Sequence, residues 1–355
     1  MLIKIPTINR WSFNFMILFA LLNLGCGKKS QSISFQIESQ KSNIDHLIVS
    51  SYIIDTSIVW MSGTSSVCLR TMDGGISWEA YSHPKIDTFQ YRDIHAFNQD
   101  NVILLSVGKG KRSQIHQFNP SVGWQSLFVL DEEDGFLNSL EFWDDKIGLA
   151  YGDSFDGIPY VLKTEDGGIT WTRIINLPAS NEGEGGFASS GRCISVIRGG
   201  KAWIGTGGGG NARVLYTKNY GRSWRLFETP IVKREFSGIT SVSFINNQIG
   251  FIAGGDLADV NSYTDNVAYT ENAGKKWTKA NRPQIPGPVY GGDICLFKDR
   301  LITAICGPNG LDLSLDKGDS WVNVSDENLW LADFTSHGIG WAAGKNGKIL
   351  KIRFQ

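Results

Sequence analysis

The chain has 355 residues, and its 34 Lys and Arg against 35 Asp and Glu give a formal charge of −1, which argues against a nucleic-acid ligand. Apolar residues make up 41%, aromatics 12% and charged residues 19%, so the chain buries a large core and is not disordered. Its 41 glycines demand many turns, and the length fits either two or three domains or one large all-β fold.

Residues 1–25 contain Lys4, Arg10, no acidic residue and an apolar run from Phe13 to Leu24. That run is shorter than the roughly 20 residues of a membrane span, but it suits the apolar region of a secretory signal. It ends in Leu22-Asn23-Leu24-Gly25-Cys26-Gly27, which resembles a bacterial lipoprotein signal whose Cys is lipidated and becomes the mature N-terminus. One departure is Asn23, where an aliphatic residue is usual, with Leu22 one place further back. The expectation is a signal over 1–25, a lipid on Cys26, a tether over 26–32 and a folded unit over 33–355. Such a protein is anchored in the cell envelope, facing the periplasm or the cell surface; plain cleavage and secretion is the alternative. Gly27-Lys-Lys-Ser30 lacks an acidic run and leans periplasmic.

Internal repetition dominates the rest. Thr71-Met-Asp73-Gly-Gly75-Ile-Ser-Trp78 and Thr164-Glu-Asp166-Gly-Gly168-Ile-Thr-Trp171 share one form with Thr217-Lys-Asn219-Tyr-Gly221-Arg-Ser-Trp224, Thr270-Glu-Asn272-Ala-Gly274-Lys-Lys-Trp277 and Ser314-Leu-Asp316-Lys-Gly318-Asp-Ser-Trp321. All read Ser/Thr-x-Asp/Asn-x-Gly-x-x-Trp. The Trp positions are 93, 53, 53 and 44 residues apart, and the 93 is a double step spanning the degenerate Asn119-Pro-Ser-Val-Gly123-Trp124. A second element, an apolar run ending in Gly, recurs at Gly63, Gly108, Gly152, Gly205, Gly254, Gly307 and Gly344. Units of 40 to 50 residues without helical periodicity have the size of a four-stranded propeller blade.

Within one unit, Ser139–Phe142, Ile147–Tyr151, Tyr160–Lys163 and Trp171–Ile175 read as short strands separated by Gly, Asp or Pro. Pro84, Pro178, Pro230 and Pro283 follow the boxed Trp, which suits the exposed end of an outermost strand. From Leu331 onward the chain has room for only three strands. Ile33-Ser-Phe-Gln-Ile-Glu38 has the alternation to supply the fourth and close the ring. The expected fold is therefore all-β, a seven-bladed propeller of four-stranded antiparallel blades, closed by an N-terminal strand in the last blade.

The repeated Trp segment resembles the Asp-box, or bacterial neuraminidase repeat. Its pairing with Gly340-Trp-Ala-Ala-Gly344-Lys-Asn-Gly347 resembles the photosystem II stability/assembly factor-like family of seven-bladed propellers, over residues 44–355. Tyr91-Arg-Asp93, Gly152-Asp153, the segment Gly183–Gly191 and Gly254-Gly-Asp256 are similar to a branch of secreted bacterial proteins, some labelled oxidoreductase. In the box, Asp or Asn can hold backbone N–H groups, Gly takes positive φ and Trp covers the turn, so its composition explains itself without chemistry. The resemblance places the boxes between third and fourth strands, opposite the face where such propellers bind ligands.

Function therefore falls to the other face. There the long loop Pro178–Arg192 brings Glu182, Glu184, Ser189, Ser190 and Arg192 toward the axis, with Arg92, Asp93, Asp153, Asp256 and Tyr290 placed on the same rim. Carboxylates beside arginines suit a polar ligand, so the expectation is a non-catalytic binding or assembly module for a protein or a glycan. A sialidase-like glycoside hydrolase using two of Asp153, Glu184 and Asp256 is the alternative, and it needs carboxyls about 5 to 9.5 Å apart. Gly205-Thr-Gly207-Gly-Gly-Gly210 matches a dinucleotide fingerprint, but Asn211–Tyr216 reads as a strand where that motif needs a helix. No cofactor is expected. His46, His83, His95, His116 and His337 show no metal-ligand spacing, and Cys68, Cys193, Cys295 and Cys306 add none. Cys295 and Cys306 could form a disulfide across neighbouring strands, although the inferred register offsets them by two.

Overall fold

The computed structural model describes residues 33–84 and 89–355, so the readings of residues 1–25, Cys26 and the 26–32 tether lie outside the described residues. Seven four-stranded antiparallel sheets follow one another around an axis, each built in chain order from the centre outward except the last. The inner strands of blades 1 to 7 are Ile48–Ile53, Tyr91–Asn98, Leu137–Phe142, Ile194–Ile197, Ser237–Phe244, Gly291–Phe297 and Leu329–Phe334.

Blade 7 is completed from the other end of the sequence. Phe35–Lys41 pairs antiparallel with Lys348–Phe354, in register from Phe35 opposite Phe354 to Lys41 opposite Lys348. Phe35 is buried, with its ring 6.2 Å from that of Phe354. The same segment ties blade 7 to blade 1: Gln40 Nε2 donates to Gly74 O at 3.1 Å, and Gln40 Oε1 accepts from Trp341 Nε1 at 3.2 Å. A three-stranded blade with a free edge is thereby avoided.

Apolar side chains pack between neighbouring blades. Ile48, Val59, Met61 and Leu69 of blade 1 meet Leu331, Trp341, Ala343 and Ile349 of blade 7, and like clusters fill the other junctions. Second strands supply much of this, which is why they are continuous apolar runs: Val59–Gly63 is buried throughout. Their closing glycines are steric. A Cβ at Gly63 would sit 2.0 Å from Leu47 O, and one at Gly254 would sit 1.8 Å from Gly238 O.

Each repeated Trp segment forms the connection from third to fourth strand. At the first, Asp73 Oδ1 accepts from Ser77 N at 3.0 Å, Thr71 Oγ1 accepts from Gly75 N at 2.7 Å, and Gly75 has φ 89°. Asp166, Asn219, Asn272 and Asp316 hold the equivalent N–H groups. Trp78, Trp277 and Trp321 are buried, while Trp171 and Trp224 donate from Nε1 to Gly168 O and Gly221 O. Asn119–Gly123 occupies the same place in blade 2 as a shorter turn, with Asn119 Oδ1 accepting from Ser121 N.

The glycine fingerprint joins Lys201–Gly205 to Arg213–Thr217, two paired strands, so it lacks the helix a pyrophosphate would need. Cys295 lies opposite Ile302 and Cys306 opposite Gly291, an offset of four rather than two, and both thiols are free.

Closure makes the N-terminal strand a stability element. Phe35→Ala should cost about 3 kcal/mol in equilibrium denaturation, whereas Ser39→Ala, at an exposed position further along the same strand, should stay within about 0.5 kcal/mol.

Candidate binding mouth

Five inner strands carry an extra residue near their start. The pairing skips Val49, Arg92, Asn138, Thr240 and Trp330. A bulge re-aims the side chain it displaces, and three of the five, Arg92, Asn138 and Trp330, line a cavity of about 420 Å³. Phe136 and Asp153 of blade 3, Phe187 and Ser189 of the long loop, Leu257 of blade 5 and Tyr290 of blade 6 complete most of its wall. The cavity thus draws on blades 2 to 7 at the mouth opposite the Trp turns.

Arg92 is its distinctive group. The guanidinium lies 5.1 Å from the centre of the Trp330 ring, and Tyr290 packs on the same Trp with centroids 4.4 Å apart. Nε of Arg92 is buried and has no hydrogen-bond partner among the described residues. Burial alone holds its pKa below the usual arginine value, with no neighbouring carboxylate opposing the shift. Cation–π attraction to Trp330 compensates this charge only partly. Tyr290 is likewise pushed up by burial.

Of the candidate carboxylates, Asp153 alone belongs to this wall. Asp153 faces the cavity, accepting from Asn138 Nδ2 at 2.9 Å and Gly186 N at 3.0 Å, and burial raises its pKa. Glu184 is 4% exposed and accepts from Arg213 Nε at 2.9 Å and Thr206 Oγ1 at 2.6 Å. Burial works against its charge, but Arg213 and Thr206 outweigh it and keep the pKa low. This pair staples the long loop to the glycine hairpin. Asp256 pairs with Arg234 at 3.1 Å and caps Ala258 N. Glu182 is exposed on the loop. Only one of the three hydrolase candidates therefore lines the cavity.

Asp93 and Arg192 stand below the rim rather than on it. At one register of the inner strands lie Tyr52, His95, Glu141, Ser195, Ser243, Asp293 and Asp333, one polar side chain per blade. Arg192 reaches this axial ring and pairs with Asp333, whose Oδ2 accepts from Ser51 Oγ at 3.0 Å. His95 Nδ1 lies 2.9 Å from Glu141 Oε1, and Ser243 donates to Asp293 at 2.7 Å. Asp93 is 4% exposed because the bulge at Arg92 turns it inward, where its oxygens accept from Ile94 N at 2.8 Å and Leu140 N at 2.7 Å. Ser139 Oγ lies 2.8 Å from Asp93 and also 2.7 Å from Gly191 O. Burial pushes the Asp93 carboxyl up to about 8 against these hydrogen bonds.

A lateral cleft of about 370 Å³ lies near Arg234, Tyr263 and Arg282, but its cations have partners: Arg234 pairs with Asp256 and Arg282 covers the Tyr263 ring. Among the described residues no cluster of three His, Cys, Asp or Glu side chains could hold a metal, and no helix is long and apolar enough to cross a membrane.

By sequence the protein matches no family model and no curated protein. By structure it is similar to YCF48 bound to a D1 peptide, with TM-score 0.62 and 14% identity over 89% of this chain and 94% of that one. YCF48 from Cyanidioschyzon merolae gives the same score and identity over 89% and 98%. A GH74 xyloglucanase from Xanthomonas campestris gives 0.61 and 11% over 88% of this chain and 53% of that one. At these identities the likeness establishes the fold, a seven-bladed propeller.

Burial also pushes Asp333 up, to about 6, against the pull of Arg192. A carboxyl whose pKa rises on folding stabilises the native state fully below its unfolded value near 4, and that contribution is lost as pH climbs through the folded value. The denaturation midpoint should therefore fall between pH 5 and pH 9, and Asp93→Asn should remove about half of that fall or more.

Proposed function

We propose that the protein is a non-catalytic binding propeller that receives a segment of another protein in the mouth cavity, while a lipid on Cys26 holds it to the cell envelope. The observation that carries this reading is the cavity itself: aromatic and aliphatic walls around one unpaired cation, with Asp153 the lone carboxylate of the hydrolase trio. Hydrolysis of a glycoside needs two carboxyls facing one bond; Glu184 and Asp256 are committed to Arg213 and Arg234. YCF48, described bound to a D1 peptide, supports the idea that a propeller of this shape serves as a peptide receptor.

Two experiments test the proposal. Peptide-library display and a glycan array should return peptide binders, weakened about 30-fold by Trp330→Ala or Phe187→Ala if these rings anchor the ligand. Binding of glycans alone, or glycoside turnover abolished by Asp153→Asn, would sink it. For the anchor, Cys26→Ser should eliminate incorporation of labelled fatty acid and move the protein from the membrane fraction to the soluble one; persistence of both would refute lipidation at that residue.

A further inference from the structure

Two residues that line the mouth cavity carry a buried donor without an acceptor. One is Arg92, whose Nε is unpaired and whose charge has no counterion among the described residues. The other is Ser189, whose buried hydroxyl has no partner and whose residue lines the same cavity. Leaving a buried donor unmet is costly, and leaving a buried charge uncompensated costs more. Other carboxylates near the mouth have partners: Glu184 has Arg213, Asp256 has Arg234, and Asp153 accepts from Asn138 and Gly186.

Resting on the peptide-binding reading above, we infer that Arg92 and Ser189 form an anion subsite for a carboxylate borne next to an apolar group. A guanidinium fork and a hydroxyl match the two oxygens of a carboxylate. The charge count selects a monoanion. One cation is available, and Asp153 stands in the same wall, so a phosphate dianion would meet one charge and be repelled by another. Phe136, Phe187 and Leu257 give the adjoining apolar group a place to bury. Asn138 spends one of its two Nδ2 N–H groups on Asp153 and carries no charge, so it adds no counterion for an anion. Two sources supply such a carboxylate, the C-terminus of a polypeptide or an acidic side chain beside an apolar residue.

The experiment follows indole N–H signals by NMR, with Trp330 assigned through Trp330→Phe, as small probes are titrated into the full-length protein. N-acetyl-leucine represents the C-terminal source and acetyl-Leu-Glu-amide the side-chain source; N-acetyl-leucinamide and acetyl-Leu-Gln-amide are their neutral counterparts. At least one carboxylate probe should shift Trp330 and bind ten-fold or more tightly than its amide, and the probe that succeeds identifies the source. Arg92→Gln should erase that difference. Ser189→Ala, which keeps the charge, should weaken the carboxylate probe several-fold and leave the amide unchanged; inorganic phosphate should not compete. Equal binding of acid and amide, or an unchanged preference in folded Arg92→Gln, overturns the subsite. If carboxylate probes fail while library peptides still bind through Trp330 and Phe187, the subsite falls and the receptor reading stands; if neither binds, both fall.

Discussion

Pairing of Phe35–Lys41 with Lys348–Phe354 is the constraint on which the other contacts depend. A propeller's blades touch only their neighbours, so each interface is held in place by the two beside it, and the circle has meaning only when first and last blades are fixed to each other. Here that fixing is done twice. The seven-residue ladder makes the last sheet whole, and Gln40 then bridges from it to Gly74 of blade 1 and back to Trp341 of blade 7. Closing a loop of roughly three hundred residues costs entropy only logarithmically in its length, so one strand's hydrogen bonds and the burial of Phe35 can offset it.

Ring closure brings the inner strands together at a narrow axis, where side chains from seven blades compete for one space. The lower level is settled by polar pairing: His95 with Glu141, Ser243 with Asp293, Arg192 with Asp333. Toward the mouth, bulges place Arg92, Asn138 and Trp330 in the cavity wall. The same local irregularity has opposite effects on adjacent residues. It exposes Arg92 to the cavity and buries Asp93 behind it.

How much is legible in the sequence follows from the range of each interaction. Blade number, strand count and the Trp turns are written locally, because a turn that holds N–H groups on Asp73 or Asn219 needs its residues within one short segment. Closing glycines such as Gly63 are equally local, being forced by the backbone of the neighbouring strand. Even the N-terminal closure is readable, since the last unit lacks a strand and Ile33–Glu38 alternates. The site is readable only in part. Arg92, Asp153 and Tyr290 do line the cavity, but Trp330, an aromatic near a strand start, looks like core, and Phe187 is one apolar residue within a polar loop. Bulges leave no mark in an alternating pattern, so Asp93 reads as a rim residue when it is in fact buried. Ion pairs such as Arg192 with Asp333 join residues far apart in sequence, and only the closed ring brings them together.

Pairing between distant residues decides how charge should be read in a propeller mouth. Counting Asp, Glu and Arg around the rim suggests a polar, even hydrolytic, surface, because sequence shows every charge and none of the partners. Once Glu184 meets Arg213 and Asp256 meets Arg234, those charges become scaffold, holding loops at fixed height above the axis. What remains available for recognition is the imbalance left after pairing. Among the described residues lining the cavity the one cation is Arg92, half-buried, held over the Trp330 ring and without a counterion. A charge so placed carries an energetic penalty that an arriving anion would relieve, which is the physical basis of the selectivity proposed for this mouth.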